Sequence, residues 1–313
     1  MTQPIDQALA LWGMQAAKAR LVAQRENSVW RVDDQGAAFA LRFHRPGYRS
    51  KAELNSELQW MAHLAEGGVL LPCPIPLPDG PLIAEVSGHH VSVLTWLDGR
   101  PIGASGNLDG ISDPEQLAFA LGQQMTQMHD LTDAWTLPAG FSRPDWRREG
   151  LLGDAPLWGA FWQHPHLKTV QRALLLRARD AAFDALTEIE QDADQGLIHA
   201  DLLAENIMIH EGQLSFIDFD DCAWGFRDFE LATFLLKFLD QPYYPALRQG
   251  LCAGYTTRRP VDGRQLDIFL LLRALTYVGW IIDRVDEPGG AARSQRMLSQ
   301  ALTLANDFLK GRA

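Results

Sequence analysis

The feature that most constrains the fold of this chain is a set of polar residues held at fixed spacing between apolar ones. His199, Asp201 and Asn206 fit the pattern H-x-D-x-x-x-x-N, and Asp218-Phe219 follows twelve residues after Asn206. Phosphoryl transfer from a nucleotide needs a carboxylate that orients and deprotonates a hydroxyl, and oxygen ligands that hold magnesium. The spacing therefore predicts a loop and a strand that together present these side chains.

Each polar residue of this set has a predicted role. Asp201 and Asn206 are five residues apart, so a loop rather than one face of a regular helix is expected to bring them together. Asp201 is the candidate catalytic base, while Asn206 and Asp218 are candidate Mg²⁺ ligands. Residues 213–217 are expected to form a strand that returns the chain to the site. A chance pattern in ordinary turns is disfavoured, because Leu, Ile or Phe adjoins each of these residues.

Composition and charge limit the class of partner. The 313 residues are enough for one large domain or two lobes with a sizeable core. The net charge of −11 disfavours nucleic acid, since phosphate contacts need clustered Lys and Arg. The same charge fits either a cationic substrate or a solvated acidic surface.

Targeting and membrane signals are weak. The first residues lack the basic start and apolar run of a signal peptide, and three scattered cysteines fit a reducing cytoplasm. The most apolar segment, Leu266–Ile282, is interrupted by Asp267 and Arg273 and is shorter than a typical span. We therefore expect a cytoplasmic protein in which this segment is a buried helix.

The order of elements predicts an α+β fold. Helical spacing over residues 1–20 is followed by short apolar runs and turns typical of strands up to His44. A capping box at Ser50–Glu53 opens a helix in which Glu57 lies beside the apolar stripe and needs a partner if it is buried. Beyond a linker rich in Gly, Ser and Asp, helices are expected over 115–131, 166–191, 227–239, 243–255, 264–286 and 291–310. The predicted organisation is an N-terminal lobe at 1–97, a hinge and linker at 98–113, and a C-terminal lobe at 114–313.

The motif resembles that of a known family. His199–Ile207 together with Ile217-Asp218-Phe219 is similar to the aminoglycoside phosphotransferase and choline kinase family, whose relatives include homoserine kinases of the same type. This resemblance extends over most of the chain. It implies a bilobal protein-kinase-like fold with a small β-rich N-lobe and a larger, mostly helical C-lobe. Ala200 stands where the family usually has Gly, and Leu203-Ala204 stands where it often has His-Pro; neither change touches a group that does chemistry.

The resemblance implies a cation for the nucleotide phosphates. Arg42 stands where protein kinases have a Lys that holds the α- and β-phosphates and pairs with a helix Glu. The planar fork of Arg can do both, with a different geometry. Glu57 is the predicted partner of Arg42, and this pairing would explain why a carboxylate occurs in the apolar stripe. Two surface residues remain the alternative for this pair, and Arg45 the alternative phosphate cation.

Other nucleotide contacts are implied by the same resemblance. The turn at Asn27 and Ser28 replaces a Gly-rich loop and is expected either to face the phosphates or to be a plain hairpin turn. Ala40 is expected to pack on the adenine. Thr95 and Leu97 are expected to offer backbone hydrogen bonds at the hinge.

Residues around the motif have predicted structural roles. Asp220 and Asp221 stand after Phe219, and either an extra metal-side or substrate-side carboxylate or a turn role is open for them. Glu230 is expected to brace the catalytic loop through its backbone, and His199 to orient that loop. Only eleven residues separate Asp218 from Glu230, too few for the activation segment that protein kinases use for peptides.

These features predict an ATP- and Mg²⁺-dependent phosphotransferase. The expected acceptor is a hydroxyl of a small molecule: an amino alcohol, a hydroxy amino acid, a sugar or an aminoglycoside-like compound. The alternatives are a protein Ser/Thr kinase of the bacterial stress-response type and a catalytically silent nucleotide-binding module. Residues 135–162 mix aromatic residues with Arg and form either a substrate pocket or core packing. The Arg residues favour an anionic or zwitterionic substrate, whereas the net charge favours a cationic one.

Overall fold

The computed structural model describes residues 4–24 and 27–311. They form two compact units that are discontinuous along the chain. The first unit comprises Met1–Pro101, Asp130–Arg143 and Asn206–Asp220, and the second comprises Ile102–His129, Pro144–Glu205 and Asp221–Ala313. The contiguous lobes predicted at 1–97 and 114–313 differ from this division, because two later segments of the chain pack with the first unit.

The first unit contains an antiparallel sheet. Its strands, with one short helix before them, are α1 Pro4–Leu11, β1 Lys18–Gln24, β2 Ser28–Asp34, β3 Ala37–Phe43, β4 Pro74–Ile75, β5 Ala84–Val86 and β6 His89–Thr95. The strand order is β1-β2-β3-β6-β4, and β5 pairs with β6. Gln35 and Gly36 link β2 to β3 with φ angles of 48° and 85°, as a tight two-residue hairpin requires. Buried apolar residues of β2, β3 and β6 pack against α1.

The N-terminal helix is shorter than predicted. The expectation of a helix over residues 1–20 is wrong beyond Leu11, where α1 ends. Gly13 adopts a left-handed φ of 74°, which ends helices, and the Met14 amide donates to the Leu9 carbonyl at 2.9 Å. Residues from Lys18 onward instead pair with β2, so ladder hydrogen bonds replace the local helical preference.

The second helix of this unit, α2 at Lys51–Glu66, follows the predicted capping box. Ser50 and Glu53 exchange the two reciprocal hydrogen bonds of that motif. The segment 130–143 packs on α2, where the Trp60 indole donates to the Thr132 hydroxyl at 2.9 Å. This contact explains why a segment predicted for the C-terminal lobe belongs to the first unit.

A hairpin completes the first unit. β11 at Ile207–His210 pairs with β12 at Gln213–Phe216, and β11 also pairs with β7 at Arg100–Pro101. The strand predicted over residues 213–217 is therefore confirmed. The Phe216 amide also donates to the Leu70 carbonyl at 3.0 Å. These bonds join the hairpin to the N-terminal part of the chain.

The second unit is mostly helical, as predicted. Its helices are α3 Pro114–Asp133, whose last turn belongs to the first unit, α4 Arg148–Leu152, α5 Thr169–Ile189, α6 Arg227–Leu236, α7 Tyr244–Tyr255, α8 Gly263–Trp280 and α9 Gly290–Gly311. The second unit also contains two short antiparallel strand pairs. These are β8 Gly103–Ala104 with β9 Asn107–Leu108, and β10 Gln195–Ile198 with β13 Ala223–Phe226.

Helix α8 contains most of the apolar segment noted in the sequence. It is buried on nearly all sides and ends at Trp280, earlier than the predicted 286, with a 3₁₀ turn after it. No helix within the described part of the chain is both long and apolar enough to cross a membrane. Around α8, Trp146 makes edge-to-face contacts with Trp158 and Phe229, each at 5.5 Å between ring centroids. These contacts assign the aromatic residues of this part of 135–162 to core packing.

Candidate active site

The hairpin brings the two predicted metal ligands to one end. Ile207 lies opposite Phe216 in the register, and the Ile217 amide donates to the Asn206 carbonyl at 3.0 Å. Asp218 follows directly, with a left-handed φ of 66°. Asn206 and Asp218 therefore leave the two strands at the same end of the hairpin, although eleven residues separate them in the sequence.

The donor set at this end fits a hard divalent cation. An amide oxygen and a carboxylate oxygen are ligands that Mg²⁺ accepts, with nucleotide phosphates and water filling its remaining positions. Asp218 is exposed and Asn206 is half-buried, so both are accessible. Across residues 4–24 and 27–311, no group of three or more His, Cys, Asp or Glu is arranged to hold a metal ion.

The predicted ion pair between Arg42 and Glu57 is confirmed. Nη1 of Arg42 donates to Oε1 of Glu57 at 2.8 Å, and both side chains are buried. Nη2 of Arg42 lies 3.5 Å from Oδ1 of Asp220. Burial lowers the pKa of Arg42, but the carboxylates of Glu57, Asp220 and Asp218 outweigh burial and raise it above its ordinary value. The guanidinium is thus permanently charged beside the end of the hairpin.

Asp220 also ties down the turn before β2. Nδ2 of Asn27 donates to Oδ2 of Asp220 at 3.2 Å, and Oδ1 of Asn27 accepts from the Arg45 amide at 3.1 Å. Ser28 begins β2 opposite Phe43 and is half-buried. The other residues of this turn, at positions 25 and 26, lie outside the described residues. At the end of the hairpin, the Asp220 side chain thus contacts both Asn27 of the turn and the buried cation Arg42.

Arg143 supports the same corner and was missed as a site residue in the sequence. Its Nη2 donates to the Asp220 carbonyl at 2.6 Å, and its Nη1 donates to the Glu53 carbonyl at 3.1 Å. Arg143 is only 7% exposed. Its position between aromatic residues in the sequence gave no indication of these partners, since both are backbone oxygens remote in the chain. It fixes the backbone at Asp220 to the start of α2.

The residues predicted at the adenine end lie on neighbouring strands. Ala40 of β3 pairs with Leu94 of β6 and is half-buried. Thr95 donates through its amide to the Cys73 carbonyl and accepts at Oγ1 from the Cys73 amide, both at 2.8 Å. These bonds occupy the Thr95 amide, and the predicted hinge role of Thr95 stays a prediction. Leu97 follows β6, and its hinge role stays a prediction, as does that of Ala40.

The loop with the candidate base belongs to the second unit and is braced as predicted. The Glu230 carboxylate accepts from the His199 amide at 2.6 Å and from the Ala200 amide at 3.0 Å. Burial raises the pKa of Glu230 to about 7, against the two amides, which lower it. The Asp201 amide donates to Nδ1 of His199 at 3.3 Å, a contact that fits the predicted loop-orienting role of His199. Ala200 has a φ of 68°, a region where Gly is less strained.

The candidate base itself contacts a cation that the sequence did not assign to the site. Oδ1 of Asp201 accepts from Nη2 of Arg273 in α8 at 2.8 Å. The Asp201 side chain is 25% exposed, so it is accessible to a substrate while it is held. In the sequence, Arg273 stood out only as a charge that interrupts an apolar run, which is the signal that a buried cation has a partner.

Comparison with known proteins identifies the class. The family model for APH, the phosphotransferase enzyme family, matches residues 18–265. Because this range is most of the chain, the protein belongs to the phosphotransferase enzyme family, as the motif predicted. It is therefore an enzyme with the bilobal protein-kinase-like fold that the resemblance implied.

Individual relatives cover most of the chain. It is 27% identical to amicoumacin kinase of Bacillus subtilis over 247 residues, which are 78% of this chain and 70% of that protein. It is 28% identical to homoserine kinase of Brucella abortus over 271 residues, which are 83% of this chain and 76% of that protein.

Solved structures show the same fold. The microcompartment-associated aminopropanol kinase matches with a TM-score of 0.83 and 28% identity, covering 98% of this chain and 97% of that one. The amicoumacin kinase hAmiN, in complex with AMP-PNP, Ca²⁺ and Ami, matches with a TM-score of 0.77 and 21% identity, over 96% and 92% of the two chains.

Proposed function

We propose that this protein transfers the γ-phosphoryl group of ATP, in the presence of Mg²⁺, to a hydroxyl of a small molecule that carries an amino group. The observation that supports the proposal most directly is the corner formed by Arg42, Asn206 and Asp218. A buried permanent cation lies there beside the hairpin end that carries one amide and one carboxylate. A nucleotide triphosphate with a divalent ion needs this combination of charges.

Different residues of the proposed site have different roles in phosphoryl transfer. Arg42 binds phosphate oxygens, and the turn at Asn27 and Ser28 contributes polar groups next to it. Asn206 and Asp218 would hold Mg²⁺, and the bound ion would neutralise charge on the phosphates. Asp201 orients the acceptor hydroxyl and accepts its proton. The acceptor oxygen then forms a bond to the γ-phosphorus, the bond from that phosphorus to the β,γ-bridging oxygen breaks, and ADP leaves.

Two features favour a small acceptor with an amino group. The run from Asp218 to Glu230 is filled by a 3₁₀ turn, strand β13 and the start of α6, which leaves no activation segment there for a peptide. Among relatives, homoserine kinase and aminopropanol kinase are named for acceptors that carry both an amino group and a hydroxyl. Amino alcohols and hydroxy amino acids are therefore the proposed class, ahead of sugars and aminoglycosides.

The arginines near the aromatic stretch do not argue for an anionic acceptor. Arg147 donates through Nε to Oδ1 of Asp145 and through Nη2 to Oδ2 of Asp145, and Nε of Arg148 lies 3.1 Å from Oε2 of Glu190. Their charges are balanced by carboxylates of the same unit. The net charge of −11 is compatible with a cationic acceptor.

A screen of ATP consumption with and without Mg²⁺ tests the proposal. The acceptor panel contains amino alcohols, hydroxy amino acids, sugars, aminoglycosides and a generic protein. We expect Mg²⁺-dependent turnover with one of the first two classes. Turnover confined to the protein substrate, or to sugars, would contradict the acceptor class.

The Asp201→Asn variant tests the assigned base. It is expected to bind ATP normally and to lose roughly 10³-fold or more in kcat, because the proton acceptor is gone. Asp218→Asn is expected instead to raise the Mg²⁺ concentration needed for half-maximal activity. Asp267→Asn, which removes an exposed partner of Arg248, serves as the control and is expected to behave like the parent protein. Full activity of Asp201→Asn would refute the role of Asp201.

A further inference from the structure

Helix α8 carries one cation in an otherwise apolar face. Arg273 is 3% exposed, and its neighbours Leu270, Leu271, Leu272 and Ala274 are buried. A buried guanidinium costs several kcal/mol in desolvation unless charge and hydrogen bonds balance it. An arginine at this position therefore calls for a structural or chemical reason.

The contacts of Arg273 all converge on the catalytic loop and its aromatic surroundings. Nη2 donates to Oδ1 of Asp201 at 2.8 Å and to the hydroxyl of Tyr277 at 3.1 Å. The guanidinium carbon lies 4.3 Å from the ring centroid of Tyr277, 5.5 Å from that of Phe229 and 5.8 Å from that of Trp146. Rings and a hydroxyl thus restrict the guanidinium so that one nitrogen faces the carboxylate.

Other charged groups around this contact set its electrostatics. Burial lowers the pKa of Arg273, but Tyr277, Asp201 and Asp221 outweigh burial and raise it. The Lys237 ammonium lies 3.7 Å from the ring centroid of Tyr277. Burial raises the pKa of Glu230, whose carboxylate holds the backbone of the loop, and the charge of Arg273 offsets part of this rise. The Arg273 guanidinium is therefore charged at neutral pH.

We propose that Arg273 is a positioning residue for phosphoryl transfer: it fixes the Asp201 carboxylate at Oδ1 and so sets the orientation in which the second oxygen meets the acceptor hydroxyl. This inference rests on the proposed role of Asp201. Glu230 accepts from the His199 and Ala200 amides, and His199 accepts from the Asp201 amide, so these contacts hold the backbone of the loop. Arg273 contacts the Asp201 carboxylate itself and favours the ionised form that a base requires.

A purely structural role for Arg273 would have different consequences. If the cation only fills the core, its replacement would lower the melting temperature and leave the kinetics of the folded fraction unchanged. If it positions Asp201, kcat falls while ATP affinity stays the same. The acid limb of the kcat/KM profile also moves to higher pH, because the cation that favours ionised carboxylate is gone.

The experiment compares Arg273→Met and Arg273→Lys with the parent enzyme. Arg273→Met is expected to lose roughly 100-fold in kcat, the scale of a misplaced catalytic group, and to shift the acid limb by about 1 pH unit or more. Arg273→Lys keeps the charge without the planar fork, so a smaller fall in kcat and little shift are expected. Tyr277→Phe removes only the hydroxyl that restrains the guanidinium and is expected to lower kcat less than Arg273→Met does.

Arg248→Met provides the matched control. Arg248 is a half-buried arginine of α7 whose Nη1 donates to Asp267 of α8, so the variant removes a pair to the same helix away from Asp201. It is expected to keep the parent kcat and pH profile. A kcat of Arg273→Met within about threefold of the parent, with an unmoved acid limb, would overturn the inference. If Arg273→Met does not fold, unchanged kinetics in both Arg273→Lys and Tyr277→Phe would overturn it.

Failure of this inference is distinguishable from failure of the proposed function. Full activity of Asp201→Asn removes the role of Asp201 and with it the basis for both. An inactive Asp201→Asn together with a fully active Arg273→Met removes only the positioning role.

Discussion

The side-chain nitrogen Nδ2 of Asn27 donates to Oδ2 of Asp220 at 3.2 Å, and Asp220 is 193 positions further along the chain. The other oxygen of the same carboxylate faces Nη2 of Arg42 at 3.5 Å. One side chain at the end of the hairpin therefore contacts both the turn before β2 and the buried cation. The Asp220 carboxylate accepts a hydrogen bond from Asn27 and contributes a negative charge beside Arg42, and a substitution can remove one without the other.

Replacement of Asp220 separates the two effects. Asp220→Asn keeps an acceptor for Asn27 and removes a negative charge beside the proposed phosphate site, so we expect the Kd for ATP to fall severalfold. Asp220→Ala removes the acceptor as well and is expected to weaken ATP binding, because the turn is no longer tied. Calorimetric titration with ATP and Mg²⁺ measures both. Weaker binding by Asp220→Asn than by Asp220→Ala would contradict this division.

The pair between Arg42 and Glu57 is expected to matter for folding as well as for nucleotide binding. Glu57→Gln removes a buried partner while Asp220 remains, so the free energy of unfolding should fall by roughly 2–4 kcal/mol. Urea denaturation measures this loss. Asp33→Asn breaks the more exposed pair with Arg31 and should change the same quantity by less than about 1 kcal/mol. Equal effects of the two substitutions would show that burial of the pair is unimportant.

The brace at Glu230 can be weakened without removing its bulk. Glu230→Gln offers one acceptor oxygen where two amides donate, so one buried amide, of His199 or of Ala200, loses its partner. We expect a loss of about 1–3 kcal/mol in stability and a lower kcat, with ATP affinity retained. Unfolding curves and steady-state kinetics test this. Parent-like stability would mean that the backbone of the loop holds its conformation without the carboxylate.

His44 predicts a dependence of stability on pH. It is buried, and its Nε2 lies 2.9 Å from the Ser92 hydroxyl. Burial, and secondly the charge of Arg42, lower the pKa of His44 from 6.5 to about 3. Below pH 6.5, His44 is protonated in the unfolded chain but stays neutral in the folded chain until the pH approaches 3. The free energy of unfolding therefore decreases as the pH falls from 6.5 toward 3.

His44→Gln tests this dependence, because glutamine can keep the hydrogen bond to Ser92 without titrating. Between about pH 7 and pH 5, the parent protein should lose more free energy of unfolding than the variant does. Replacement of the exposed His210 by Gln serves as the control and should leave the pH dependence unchanged. Parallel stability curves for the parent and His44→Gln would rule out the effect of His44.

Short-range patterns made part of the site predictable from the sequence. Asn206 and Asp218 flank a hairpin whose apolar alternation and turn are local, so their meeting followed from spacing. Glu57 was informative because a carboxylate in an apolar stripe needs a partner, and the family resemblance supplied Arg42. The helix predicted from helical spacing at the N terminus ends at Leu11. From Lys18 onward, backbone hydrogen bonds to β2 outweigh the local preference for helix.

Long-range contacts could not be read from the sequence. Arg273 and Asp201 are 72 residues apart, and only the packing of α8 brings them into contact. Asp220 reaches Asn27 and Arg143 for the same reason, since tertiary structure alone determines the partner of a polar side chain remote in sequence. The sequence shows that these residues are polar or charged, but it does not indicate which remote residue each of them contacts.

The discontinuous first unit has a practical consequence for exchanging parts between related enzymes. A graft that ended at residue 97 or 113 would carry Arg42 and Glu57 but leave behind the hairpin with Asn206 and Asp218, and Arg143 with its hold on Asp220. Such a chimera would join a cation from one parent to metal ligands from the other. Crossovers that keep Asp130–Arg143 and Asn206–Asp220 with Met1–Pro101 from a single parent are the ones that should inherit its nucleotide preference intact.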